Sequence, residues 1–202
     1  LINYFSQNNL WLDIKNVFIY PSVSHWRPLH NLYFLISENL FGRFYPGYHF
    51  FTLIIHITSA FMIFKVLRLL TKNVNASLLG TIVYALHPSH FVSIFWISGS
   101  ATTIGFLFLI SSFYLYLKDK KSWALVLFVL SFLASEAMVS GAGILISYEI
   151  LIKRKKMERL LLLKVIAISL GFLFLRFLFL TSDTTFITYP FEISTQTVAA
   201  IR

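Results

Sequence analysis

Apolar residues run along this chain in long blocks separated by short polar or basic stretches, and the block lengths predict which of them cross a membrane. Residues 47–70 make about 36 Å of helix, more than the roughly 30 Å of a hydrocarbon core, and the block ends among Lys65, Arg68 and Lys72. A second run, 76–96, leads into the uncharged turn 97–103. A third, 104–117, ends at Lys118, Lys120 and Lys121. The last, 160–180, follows the cluster at 153–156 and Arg159 and ends in the polar stretch 181–185. If these segments alternate in direction, every cationic cluster lies on one side, and that side is the cytoplasm by the bias of Lys and Arg toward inner loops.

Both ends of the stretch between Lys121 and Lys153 are basic, so an even number of crossings must lie between them. Its length, about 47 Å as helix, falls short of two full spans and a turn. The sequence therefore predicts two short embedded helices, 122–133 and 144–152, joined at 135–143 with Glu136 at or below the outer surface. Non-helical backbone at that depth is tolerated only where protein or water surrounds it.

Residues 1–46 then belong to an external loop. Within it Pro28 suits a first helical position, and Leu29, Leu32, Tyr33, Ile36 and Leu40 follow at helical spacing until Gly42. This pattern predicts an amphipathic helix on the outer membrane surface. Residues 181–202 are also external, with a turn or extended pair at Tyr189-Pro190 and a start of a further helix at the end. The first residue is Leu1, no signal peptide precedes it, and the chain reads as an internal fragment. Asn75-Ala76-Ser77 matches a glycosylation sequon only by pattern, because it falls on the cytoplasmic side.

Composition turns this pattern into a class. With 57% hydrophobic residues, 12% charged residues and a mean hydropathy of +0.76, neither a water-soluble domain nor a disordered chain fits. The 22 Phe, 10 Tyr and 4 Trp suit hydrocarbon and its interfaces. The expected fold is an all-α polytopic membrane bundle with an external amphipathic helix. Seventeen Lys+Arg against eight Asp+Glu give +9, which here anchors loops and does not imply nucleic acid. Without cysteine there is neither a disulfide nor a thiolate metal site.

Ionisable groups kept at membrane depth are costly, so they are the candidate site. His87 and His90 lie about 17 and 21 Å along the second span from Ala76, near the outer mouth. Three residues apart, they share a face, and Pro88 between them leaves the Tyr84 carbonyl without its helical donor. They would bind an anion or orient a substrate hydroxyl, or else make interhelical hydrogen bonds. No third ligand stands at zinc spacing, so no metal is expected and a divalent ion has no support in these residues. Arg176, about 24 Å into the last span, needs a phosphate, Glu136 or Asp183 as its partner. Glu136 faces substrate or neutralises an arginine. Arg27, with His25, Trp26 and His30, makes a cationic and aromatic patch that would hold a lipid phosphate or anchor lipid headgroups. His49 and His56 read as buried hydrogen-bonding histidines.

The order of HWRPLHNLYF at 25–34, PGYHFFTLIIHITSAFMIFKVLRLL at 46–70, YALHPSHFVSIFWISG at 84–99 and SEA at 135–137 resembles the membrane half of the GT-C glycosyltransferases. The likeness is closest to protein O-mannosyltransferase-like proteins, including those with tetratricopeptide repeats, and runs from about Trp26 to Arg176. It implies a polytopic enzyme that moves mannose or a similar hexose from a polyprenyl-phosphate donor to an acceptor protein or glycan outside the membrane, with inversion. The site would face outward from a bacterial inner membrane, among membrane lipids, and use no cofactor within this stretch. The resemblance assigns lipid-phosphate or substrate binding to Arg27, His30, His87, His90, Glu136 and Arg176. It places the catalytic acidic pair just ahead of Leu1. Asp13 is the only acid early in the external loop, and its neighbours suggest a surface turn. Related sequences often carry Glu where this chain has Val92, Arg where it has Ser100, and SKE where it has Ala134-Ser135-Glu136. A transporter or flippase of an anionic substrate, or a non-catalytic scaffold of the same fold, would keep many of the same residues.

Overall fold

The computed structural model describes residues 25–153 and 158–181, together with residues 14, 15 and 18. Asp13, Asp183, the Tyr189-Pro190 pair and the rest of the expected terminal segment lie outside the described residues. All described elements are helical: α1 (Pro28–Phe41), α2 (Tyr45–Thr71), α3 (Val74–Leu86), α4 (His90–Phe95), α5 (Ser100–Leu117), α6 (Lys121–Ala134), α7 (Gly141–Ser147) and α8 (Arg159–Thr181). Three helical stretches, Tyr45–Thr71, Ile97–Leu117 and Arg159–Leu178, are long and apolar enough to cross a membrane. The chain is an all-α membrane protein.

Helix α1 starts because Pro28 presets the helical φ, while the residue before a proline is driven to extended backbone; Arg27 has φ −131°. It stops at Gly42, whose φ of 53° suits a residue without Cβ. The expected surface helix is present, but Tyr33 faces inward. His30, Asn31, Tyr33 and Ser37 are buried against the bundle, while Ile36 and Leu40 face outward. Two of the inward polar side chains, His30 and Tyr33, find hydrogen-bond partners there. The Tyr33 hydroxyl donates to the Tyr48 carbonyl at 3.0 Å and lies 2.8 Å from Thr52 Oγ1.

The single second span expected over 76–96 is two helices. His87 adopts extended backbone (φ −66°, ψ 128°) ahead of Pro88, so α3 ends at Leu86 and the chain turns before α4. The Tyr84 carbonyl is not left free, because the His87 N–H donates to it at 3.3 Å. Ser100, not Ile104, opens α5. The joint after α6 is also more compact than expected: a 3-10 turn, Glu136–Ser140, leads straight into α7 at Gly141, and a π-helical turn, Tyr148–Lys153, follows.

Helices α5 and α6 pack most closely, followed by α2 with α5 and α2 with α3. Small and hydroxyl-bearing residues allow the α5–α6 approach, as is usual where lipid offers no hydrophobic drive to helix pairing. The Ser112 hydroxyl on α5 donates to the Ala124 carbonyl on α6 at 2.7 Å. A Cβ on Gly105 would come within 2.7 Å of Met138 Cγ and 3.2 Å of the Ser131 carbonyl. Phe113, Phe128, Phe132, Val165 and Phe172 fill the core between α5, α6 and α8.

Contacts fix the direction of the bundle. Lys65 on α2 lies against Tyr114 on α5, and Lys121 at the start of α6 meets Glu158 before α8. The ends carrying Lys65, Lys118, Lys121, Lys153 and Arg159 therefore face one way, here the basic end, and α1 closes the other. Glu149, fully buried in the π turn, accepts from the Glu158 N–H at 2.7 Å and lies 3.1 Å from Lys153 Nζ. Lys153 also meets Glu158 at 3.0 Å, Glu158 meets Lys121 at 2.8 Å, and Lys121 meets Asp119 at 3.1 Å. This ladder of alternating charges ties α5 and α6 to the start of α8.

A side chain at position 105 should force α5 and α6 apart. Gly105→Val is expected to cost about 1–3 kcal/mol, as overpacking does, and to lower the thermal midpoint in detergent. Gly171→Ala on α8, where an added Cβ meets nothing within 4 Å, should leave the midpoint unchanged or raise it. Equal effects from the two changes would show that close α5–α6 packing does not limit stability.

Candidate functional site

One carboxylate organises the α1 end. Ser135, in extended backbone (φ −155°, ψ 127°), ends α6, and Glu136 begins the 3-10 turn, so its side chain leaves the interrupted segment toward α1 and α8. Arg27 Nε donates to Glu136 Oε2 at 2.6 Å and its Nη2 to Oε1 at 2.8 Å, a bidentate pair. His25 Nδ1 lies 2.8 Å from Oε1. Arg176, about 26 Å along α8 from Arg159, reaches the same oxygen with Nη2 at 3.3 Å. Among the described residues, Glu136 is the carboxylate that Arg176 meets. The Arg176 contact is the longest in the group, and its buried Nε has no hydrogen-bond partner among the described residues.

Two guanidinium groups thus converge on one carboxylate, which leaves the cluster cationic. The joint carrying Glu136 lies between helices, outside the three spanning segments. Burial works against its charge, but the Arg27 hydrogen bond, with Arg27 and His25 nearby, prevails and holds its pKa down at about 2. At neutral pH Glu136 is ionised.

His30 belongs to a different kind of contact from the one expected of it. It is 5% exposed, its Nε2 lies 3.1 Å from Ser100 Oγ, and its ring meets Phe34 edge-on at 4.6 Å. Burial, then the Arg27 charge, push its pKa down to about 4. A neutral, enclosed imidazole ties α1 to the start of α5 and presents no charge to an anion. Its partner, Ser100, opens α5.

The two histidines around Pro88 do not sit on one helical face. His87 is exposed, with Nδ1 2.7 Å from Ser89 Oγ, and across the turn before α4 its ring still meets that of His90 edge-on at 6.2 Å. His90 instead joins a group that the sequence did not reveal. Its ring lies 4.5 Å from Tyr84 and 5.0 Å from His56, and Tyr84 stacks on Phe106 at 5.2 Å. His56 reaches the Ala85 carbonyl at 3.2 Å and His49 approaches the Ile94 carbonyl at 3.4 Å, so both make the hydrogen bonds expected of them. The single chamber expected of Arg27, His30, His87, His90, Glu136 and Arg176 is therefore two groups. One is the Arg27–Glu136–Arg176 cluster; the other is the His56–Tyr84–His90 cluster. They occupy different faces of α5: Phe106 meets Tyr84, while Gly105 approaches Ser131, Ser135 and Met138.

Two further participants were not singled out from sequence. The basic-end ladder could have been suspected from Glu149 and Lys153, which stand at i, i+4 with the favourable order of charges. Nothing local marks His56 as a neighbour of His90, since they come from different helices. No group of three or more His, Cys, Asp or Glu suited to a metal ion occurs among the described residues. Comparison with protein-family models, curated proteins and solved structures finds no match to this chain.

The two pKa shifts predict a two-step acid profile. The His30 pKa falls on folding from 6.5 to about 4, so its contribution is complete above 6.5 and is lost as pH falls toward 4. The Glu136 pKa falls from 4.5 to about 2, so its contribution is complete above 4.5 and is lost as pH falls toward 2. Thermal midpoints between pH 2 and 8 should drop in both windows. Glu136→Gln should abolish only the lower step and His30→Gln only the upper; a lower step that survives Glu136→Gln would remove Glu136 from its assigned role.

Proposed function

We propose that this chain is the membrane portion of a GT-C-type glycosyltransferase that takes a sugar from a polyprenyl-phosphate donor and passes it to a protein or glycan acceptor on the outer face of the membrane. The observation that carries the reading is the excess of guanidinium over carboxylate around Glu136. A cationic cluster at the α1 end offers a phosphate more than its own carboxylate neutralises.

The neighbouring interruptions support it. Helix α3 is about 20 Å long, so the turn at His87–Ser89 falls roughly 10 Å short of a full hydrocarbon crossing. Its residues are exposed in this chain. The joint at Glu136–Ser140 interrupts the bundle at the same end. Broken backbone at such depth is tolerated beside water or covering protein, and a wet notch is what a phosphorylated, chain-bearing substrate requires.

In this reading Arg176 is the phosphate ligand, because it makes the longest contact to Glu136 and keeps an unused buried donor. Arg27, held through both nitrogens, positions α1. A phosphate ester is already a competent leaving group, so cations suffice to hold it as charge develops on its bridging oxygen. The acceptor hydroxyl gives its proton to a carboxylate, its oxygen bonds to the anomeric carbon from the opposite face, and the bond from that carbon to the phosphate oxygen breaks. The products are an inverted glycoside and the polyprenyl phosphate. The carboxylate is the acidic pair expected ahead of Leu1.

Transfer of labelled hexose from a polyprenyl-phosphate donor by the full-length protein tests this assignment. Arg176→Gln should lower turnover by about 10²-fold, the scale seen when one donor to a developing anion is removed, with little change in thermal midpoint. Arg176→Lys should recover part of it, and Arg27→Gln should act mainly on stability. Wild-type transfer by folded Arg176→Gln would reject Arg176 as the phosphate ligand.

A further inference from the structure

The cations at the basic end fall into two sets. Lys121 and Lys153 are neutralised in the ladder with Asp119, Glu149 and Glu158. Lys65 and Arg68 on α2, Lys72 just past it and Lys118 just past α5 have no carboxylate partner within 4.0 Å among the described residues. Lys65 and Arg68, at i and i+3, share one face of α2.

Lys65 is the informative member. Its Nζ lies 4.5 Å from the Phe61 ring centroid and 5.6 Å from that of Tyr114 on the adjacent α5. Phe61 is one turn earlier on α2, so the ammonium is turned back along the helix and does not extend beyond its basic end. Lys65 stands about 30 Å along α2 from Tyr45, which is the far boundary of a hydrocarbon core. A cation at that boundary calls for a counter-ion. Phe61 and Arg68 are exposed and lie on the side of Lys65, so this face of α2 is open to the surroundings.

We infer that Lys65 and Arg68 of α2, with Lys118 at the end of α5, form a headgroup site for an anionic phospholipid. The phosphodiester would lie against the Lys65 ammonium, with the acyl chains running along the exposed apolar face by Phe61. Lys118 stands one turn beyond Tyr114, the ring that braces Lys65, and so approaches the same point from α5. A headgroup such as phosphatidylglycerol, which has no ammonium of its own, suits these cations. A zwitterionic headgroup would bring a second cation against three already present. The site is at the opposite end of the bundle from Glu136 and does not rest on the transferase reading.

The test is thermal stability of the purified full chain in detergent with phosphatidylglycerol, phosphatidylcholine of the same acyl chains, or inorganic phosphate. Phosphatidylglycerol should raise the midpoint saturably, phosphatidylcholine much less, and phosphate not at all. Lys65→Gln and Arg68→Gln should each weaken the apparent affinity for phosphatidylglycerol about five-fold, equivalent to about 1 kcal/mol per basic residue near an anionic surface. Lys65→Arg should retain it, and Lys118→Gln provides the same readout if a change within α2 prevents folding. Equal shifts with the two lipids, an equal shift with phosphate alone, or an undiminished phosphatidylglycerol preference in the Lys65→Gln/Arg68→Gln double variant would overturn the proposal.

Discussion

The shared carboxylate of Glu136 is the constraint on which the α1 end depends. Arg27 precedes α1, Glu136 follows α6 and Arg176 lies near the far end of α8, so one side chain joins three parts of the chain far apart in sequence. Removing Arg27 or Glu136 leaves charge partly buried without its main partner, which costs more than the intact pair contributes, whereas without Arg176 the Arg27–Glu136 pair remains. The same feature makes the cluster chemically interesting. A carboxylate beside two guanidinium groups and an imidazole is outnumbered, and the group is receptive to a second anion.

Placement of that cluster follows from where helices fail. Pro28 sets the start of α1, Pro88 ends α3 at Leu86 through the extended His87, and the extended Ser135 releases the chain from α6. Each break lies at the α1 end of the bundle, whereas the turns at the basic end are short and charged. In hydrocarbon a helix satisfies its own backbone and a break does not. Concentrating the breaks at one end therefore separates an end that can accommodate water and polar ligands from an end that is closed by ion pairs.

The basic end uses its charges in two ways. Glu149 is wholly buried, yet it holds the N–H of Glu158 just before α8 and meets Lys153, so it acts as a cap as well as a counter-ion. This ladder anchors α8, most of whose side chains remain exposed. The cations of α2 are different, since Lys65 is braced by aromatic rings and neither it nor Arg68 meets a carboxylate among the described residues.

Hydropathy alone was enough to expect spans matching α2, α5 and α8, the pair of short elements between Lys121 and Lys153, and α1 between Pro28 and Gly42, because apolar length and proline or glycine punctuation are local properties; the fourth span it led one to expect, over 76–96, is divided into α3 and α4. Local rules also made Arg176 and Glu136 candidates for one another. They were silent on the rest of the site: that Arg27 would be the tighter partner, that His30 would be enclosed with Ser100, that the helix would break between His87 and His90, and that His56 would complete the second cluster. These outcomes depend on which faces of α1, α5, α6 and α8 meet. Helix packing is decided by the joint fit of many small residues and hydroxyl groups across distant segments, and that information is not written in the period or composition of any one of them.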